Sequence, residues 1–128
     1  MPTATPLNGL KVLVVEDDEA TRYAWCKYLA VAGAAVTASE DGQQALQALH
    51  GNAIDVVLVD LTLPDMDGFG VLARSQSRSQ QVLAIAVTAF DDEVKRRYAL
   101  SAGFAAYLVK PVYPSALVEE ITRLMGSR

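Results

Sequence analysis

Apolar and polar positions alternate along the chain in blocks of two different periods. Val12-Leu13-Val14-Val15 is an unbroken apolar run too short for a helix. That pattern predicts a parallel strand covered on both faces, and the run stops at Glu16-Asp17-Asp18. Beyond the acids, Ala24, Trp25, Tyr28, Leu29 and Ala32 recur at helical spacing on one face, with Gly33 as the stop. The pair of patterns then repeats. A short strand is predicted over Ala35 to Ala38, a helix over Gly42 to Leu49, and a buried strand from Ile54 that ends at Asp60. The turn Leu63-Pro64-Asp65-Met66-Asp67-Gly68 leads to a helix from about Phe69 to Ser77. Val82 to Val87 reads as a fourth strand ending at Thr88, followed by a charged helix over Asp92 to Ala102 before Gly103. Ala106-Tyr107-Leu108-Val109 is the fifth strand and ends at Lys110-Pro111. Pro114 opens a last helix with Leu117, Val118, Ile121 and Leu124 inward.

Five strands alternating with five helices predict one parallel sheet with helices on both faces, because each crossover returns right-handed over the sheet. A length of 128 residues suits one such domain, placed over residues 10–126. Residues 1–9, with two prolines, a glycine and small polar side chains, read as a flexible tail or linker. With 52% hydrophobic and 20% charged residues the chain is not of the disordered class. Eleven Lys plus Arg against fifteen Asp plus Glu leave a formal charge of −4, the wrong sign for direct nucleic-acid binding. Cys26 is the single cysteine, so no internal disulfide closes and no Cys/His spacing holds zinc. The N-terminus has no basic n-region or apolar h-region, and no apolar run approaches the ~18 residues of a membrane span. The expectation is a soluble cytoplasmic protein with no membrane partner.

In open parallel sheets the ligand site lies beyond the carboxyl ends of the strands. Four of the five expected strands end there in chemistry: Glu16-Asp17-Asp18, Asp60, Thr88 and Lys110. Each alone has a plain explanation, since acids cap helices, threonine ends strands and lysine is solvated. Together they bring several carboxylates, a hydroxyl and an ammonium to one rim, where the carboxylates repel unless protonated or bridged by a cation. A hard divalent ion such as Mg²⁺ (or Mn²⁺) meets that need, and it works through one or two carboxylates plus a phosphate oxygen. The set therefore points to phosphoryl transfer, with lysine and threonine on the remaining oxygens and one carboxylate as nucleophile.

Over Leu10 to Met125 these motifs resemble the receiver domain of two-component response regulators. Val14-Val15-Glu16-Asp17-Asp18 is similar to the family's acidic pocket, Val57-Leu58-Val59-Asp60-Leu61 to its phosphoacceptor strand, and Leu63-Pro64-Asp65-Met66-Asp67-Gly68 to the turn that follows. Val87-Thr88-Ala89 resembles the switch segment and Tyr107-Leu108-Val109-Lys110-Pro111 the last strand with its lysine. The resemblance implies a flavodoxin-like, doubly wound sheet in the order 2-1-3-4-5. It implies that Asp60 receives a phosphoryl group from a histidine kinase or histidine phosphotransfer protein. Mg²⁺ would be held by Asp17, Asp60 and the Thr62 backbone carbonyl, with Glu16 acting through a water. Asp18 would instead start the first helix. Lys110 would pair with the phosphoryl group, Thr88 would move to hydrogen-bond it, Tyr107 would turn inward behind it, and Lys110-Pro111 would be cis. Asp18, Ala89, Phe90 and Pro111 would border the site.

Thr62 and Phe90 occupy positions that vary in the family. A bulky ring at Phe90 offers no polar group to orient an attacking water, so self-hydrolysis is expected to be slower than in a Phe90→Glu variant; its plain role is to cover the loop. Lys95-Arg96-Arg97 and Glu119-Glu120 read as solvated faces, and they also admit reciprocal ion pairs in a phosphorylation-dependent homodimer. Trp25 and Tyr28 read as core, His50 as a solvated cap and Cys26 as a small filler.

The function expected is a phosphoacceptor signalling module whose catalysis is limited to its own phosphorylation and dephosphorylation. Nothing up to Arg128 resembles a DNA-binding output unit, so a downstream output protein or domain is expected elsewhere. A stand-alone regulator, favoured by Met1, and a receiver excised from a hybrid histidine kinase, for which residues 6–10 resemble an entry linker, both fit. Readings of another class are a flavodoxin-like nucleotide or flavin binder, opposed by the lack of a glycine-rich loop after the first strand, and a phosphatase with Asp60 as nucleophile. A degenerate receiver that only binds partners fits poorly with the complete polar set.

Overall fold

The computed structural model describes residues 5–76 and 82–126. In chain order the elements are β1 (Lys11–Val15), α1 (Glu19–Val31), β2 (Ala35–Ser39), α2 (Gly42–Gly51), β3 (Val56–Asp60), α3 (Gly68–Ser75), β4 (Leu83–Thr88), α4 (Glu93–Ala102), β5 (Ala106–Val109) and α5 (Pro114–Gly126). The strands pair in parallel in the order β2-β1-β3-β4-β5, the doubly wound, flavodoxin-like arrangement expected. Ser77, the expected end of the third helix, lies outside the described residues.

The unbroken apolar runs exist because side chains on each central strand point alternately into two cores. Val12, Val14, Val56, Leu58, Ile85 and Val87 meet Trp25 and Leu29 of α1 and Leu117 and Ile121 of α5. Leu13, Val15, Val57, Val59, Ala84 and Ala86 meet Ala45 of α2, Val71 and Leu72 of α3 and Ala99 of α4. Burying each valine or leucine contributes on the order of 1.5–3 kcal/mol before entropy is counted, so both layers are needed. Four helices start at an aspartate whose carboxylate accepts from backbone N–H groups of the first turn: Asp18, Asp41, Asp67 and Asp92.

One expectation, on Tyr28, is corrected. In the segment expected as a tail, Leu7 packs on the domain. Leu7 is 2% exposed in the α1/α5 core, its N–H donates to Ala32 O at 3.0 Å, and Gly9 N–H donates to Gly33 O at 3.1 Å. Gly33 permits this, with φ +105° and a position where a Cβ would fall 2.8 Å from Asn8 Cα. Tyr28, expected in the core, is 45% exposed, and Ala24 is also exposed; the buried stripe of α1 and its end is Trp25, Leu29 and Ala32. The apolar spacing of α1 is wider than the face it buries.

Candidate functional site

Register brings the strand ends together. Val15 lies opposite Val59, Asp60 opposite Val87, and Thr88 opposite Val109. Glu16, Asp60, Thr88 and Lys110 therefore emerge within two residues of each other along the carboxyl edge of β1, β3, β4 and β5. Glu16 and Thr88 are fully buried, Asp60 is 6% exposed, and Asp17 faces solvent. One carboxylate oxygen from each of Glu16, Asp17 and Asp60 lies within 4.8 Å of the others.

Lys110 holds two of the acids. Its Nζ donates to Asp60 Oδ2 at 3.0 Å and lies 2.6 Å from Glu16 Oε1, the second contact ionic and out of line for a hydrogen bond. Asp60 Oδ1 accepts from Thr62 N–H at 2.9 Å, and Glu16 Oε2 accepts from Asp18 N–H at 3.1 Å. Trp25 of α1 lies beside this lysine: Nζ sits 6.0 Å from the indole centroid, and Trp25 Nε1 donates to Val112 O at 3.3 Å. The Lys110-Pro111 bond is cis, as the resemblance implied.

One ammonium shared between acids explains the electrostatics. Burial pushes the Glu16 carboxyl above its ordinary range, and the close contact and charge of Lys110, with the Asp18 N–H bond, only partly oppose it. For Lys110, burial pulls downward, but the bonds and charges of Glu16 and Asp60 outweigh it and hold the ammonium above its ordinary value. An acid whose native pKa is raised binds its proton more tightly folded than unfolded, so its contribution to stability falls as pH rises from the ordinary glutamate value to the raised one. In chelator-treated protein, Glu16→Gln is therefore expected to gain stability relative to wild type between about pH 4 and about pH 7.5. Urea unfolding at both values checks this, and an equal difference at the two pH values would overturn it.

The acidic group fits a hard divalent cation. Its donors are all oxygens, Lys110 pairs with only two of the three carboxylates, and buried Glu16 Oε1 has no aligned donor of its own among the described residues. Asp18 takes no part, because its carboxylate caps α1 through Thr21 N–H at 3.0 Å and Thr21 Oγ1 at 2.6 Å. Those hydrogen bonds hold its carboxyl below the ordinary range.

Thr88 and Tyr107 converge on the backbone of Phe90. Thr88 Oγ1 accepts from Phe90 N–H at 3.2 Å, and Tyr107 Oη donates to Phe90 O at 2.7 Å. Ala89 and Phe90 are both exposed, and the Phe90 ring lies 5.1 Å below the Lys95 ammonium. That ring helps to line a cleft of about 340 Å³ with Thr62, Asp67, Phe69 and Tyr98. Gly68 lets the start of α3 lie against the end of β3, since a Cβ there would fall 2.9 Å from Asp60 O.

Two contributors were not singled out in the sequence. Asp65 reaches from the turn after β3 to the N-terminus of α2, accepting from Gly42 N–H at 2.7 Å and Gln43 N–H at 2.9 Å. Arg22 reaches back from α1 to the backbone of the acidic loop. The only sequence signal for either was a charge near a helix start, which solvated residues also show.

A parallel α/β sheet with buried acids, a threonine and a lysine on its carboxyl edge defines a class of phosphate-handling switch proteins. Residues 12–122 match the model of the response regulator receiver domain, and the chain belongs to that family. The chain is 35% identical over 119 residues to a cyclic di-GMP phosphodiesterase of Thermotoga maritima, covering 93% of this chain and 32% of that protein. It superposes on a response regulator receiver domain protein of Methanospirillum hungatei with TM-score 0.86 at 27% identity, covering 94% of this chain and 96% of that one. The receiver domain of the sensor histidine kinase PA1611 of Pseudomonas aeruginosa, solved with magnesium in its active-site cleft, superposes with TM-score 0.81 at 30% identity. Coverage there is 92% of this chain and 98% of that one. The chain spans about half the length, or less, of most of the first curated relatives it matches. Response regulator receivers are phosphoacceptor signalling domains that interact with kinases and output domains. No described helix is long and apolar enough to cross a membrane.

Proposed function

We propose that Asp60 accepts a phosphoryl group from the phosphohistidine of a histidine kinase or phosphotransfer protein. The observation that carries this reading is the Lys110 bridge between Asp60 and buried Glu16 inside a three-carboxylate cluster. An Asp60 carboxylate oxygen attacks phosphorus in line, the P–N bond to imidazole breaks, and its electron pair returns to the ring. Lys110, already 3.0 Å from Oδ2, follows the charge onto the phosphoryl oxygens. Glu16, Asp17, Asp60 and the Thr62 carbonyl would hold Mg²⁺ or Mn²⁺, which when bound would neutralise charge on the transferring group.

Thr88 then turns its hydroxyl to the phosphoryl group and releases Phe90 N–H, while Tyr107 moves inward. Both contacts end on the backbone of one residue, Phe90, so the change at Asp60 reaches the start of α4. The surface read by the output partner lies there. An apolar cleft of about 560 Å³ beside Lys110, lined by Trp25, Val112, Tyr113 and Pro114, suits approach of the phosphohistidine carrier. Arg96 and Arg97 pair with Glu93, and Arg123 with Glu120, within the chain, which supports solvated faces over a homodimer. We place the module in the cytoplasm, as a stand-alone regulator or as the receiver of a hybrid kinase.

The reading that makes Asp60 a true phosphatase nucleophile is separated by turnover. With acetyl phosphate and Mg²⁺ the protein should load one phosphoryl group, and with p-nitrophenyl phosphate it should show no sustained release. Steady multiple turnover would overturn the receiver reading. The phosphorylated state is also expected to decay faster in Phe90→Glu, where a carboxylate can orient water; equal decay under identical Mg²⁺ would remove the ring's shielding role.

A further inference from the structure

We infer that Arg22 is a positioning residue for the divalent-cation site, acting through the backbone of the acidic loop; this rests on the reading that Glu16 and Asp17 hold the cation. Arg22 stands near the start of α1 with its side chain only 13% exposed. Its Nη1 donates to Glu16 O at 2.9 Å and to Asp17 O at 3.3 Å, while Nη2 donates to Glu40 Oε1 at 3.3 Å. Glu40 follows the end of β2, where Ser39 O accepts from Glu16 N–H at 3.1 Å. The guanidinium therefore ties the two residues that carry the cluster's β1-side carboxylates to the neighbouring strand end.

Geometry separates this role from that of Lys110. Lys110 lies on the carboxylates of Glu16 and Asp60, where an incoming cation must share or displace it. Arg22 contacts the carbonyls of the same loop and leaves the carboxylates of Glu16 and Asp17 open. Its positive charge eases repulsion among the acids without occupying a ligand oxygen. Its planar fork spans two carbonyls and a carboxylate from two nitrogens in a fixed geometry, where an ammonium would offer a single point charge. Groups that orient metal ligands in this way typically contribute 10–100-fold in affinity.

The test is Mg²⁺ binding to the full chain by calorimetry, well below the melting temperature of each variant. Arg22→Ala is expected to weaken Mg²⁺ binding by about 10-fold or more. Arg22→Lys should recover part of the loss, and Glu40→Gln should show a smaller loss that disappears in the Arg22→Ala background. A folded Arg22→Ala protein that binds Mg²⁺ as tightly as wild type overturns the inference. If Arg22→Ala does not fold, unchanged affinity in both Arg22→Lys and Glu40→Gln overturns it instead. Wild type that fails to bind Mg²⁺ overturns the reading of the cation site itself, a result seen without any variant.

Discussion

Asp60→Asn is expected to abolish covalent phosphoryl uptake from acetyl phosphate or from a phosphorylated kinase, with the fold retained. The amide keeps the shape of the side chain and an oxygen to accept from Thr62 N–H, but it has no charged oxygen to attack phosphorus. Lys110 loses one of two acidic partners and keeps the other, Glu16, so no cation is stranded. Intact mass reads the outcome: the variant should stay unmodified where wild type gains one phosphoryl group. An adduct of equal yield on the variant would place the acceptor elsewhere.

Lys110→Met carries the next largest effect, and it has two parts. Removing a preorganised cation from the transferring group should slow phosphoryl uptake by about 10²–10³-fold. The metal-free fold should also lose about 2 kcal/mol, because fully buried Glu16 is left without a counter-charge. That figure lies below the usual cost of breaking a buried pair because the lysine side chain is 25% exposed. The loss should grow as pH rises, since a protonated Glu16 needs no counter-charge and its carboxyl already lies above the ordinary range. Urea unfolding across pH and the rate of adduct formation measure the two parts. Uptake at the wild-type rate would remove Lys110 from the chemistry.

Much of this was legible in the sequence for a physical reason. Strands buried on both faces leave runs such as Val12–Val15 that only a parallel sheet explains, and such a sheet sends every strand end to one rim. Glu16, Asp17, Asp60, Thr88 and Lys110 stood at those ends; the three acids and the lysine gather there, while the Thr88 hydroxyl accepts from Phe90 N–H. What composition and periodicity missed depends on long-range geometry. Leu7 lies in a proline-flanked segment that reads as a tail, yet docking against Ala32 and Gly33 buries it. Tyr28 keeps helical spacing with the core stripe but falls at its edge and stays exposed. Arg22 acts on carbonyls, and no side-chain pattern encodes where a carbonyl points. The clamp on Phe90 likewise uses its backbone N–H and C=O, so the identity of residue 90 carried no sign of it.

The most direct test of the receiver assignment is the intact mass of the wild-type chain after acetyl phosphate treatment, with Mg²⁺ and with chelator. The expected result is a single phosphoryl adduct that forms only with the metal. No adduct on a protein shown to be folded, or an adduct that forms equally in chelator, would contradict it.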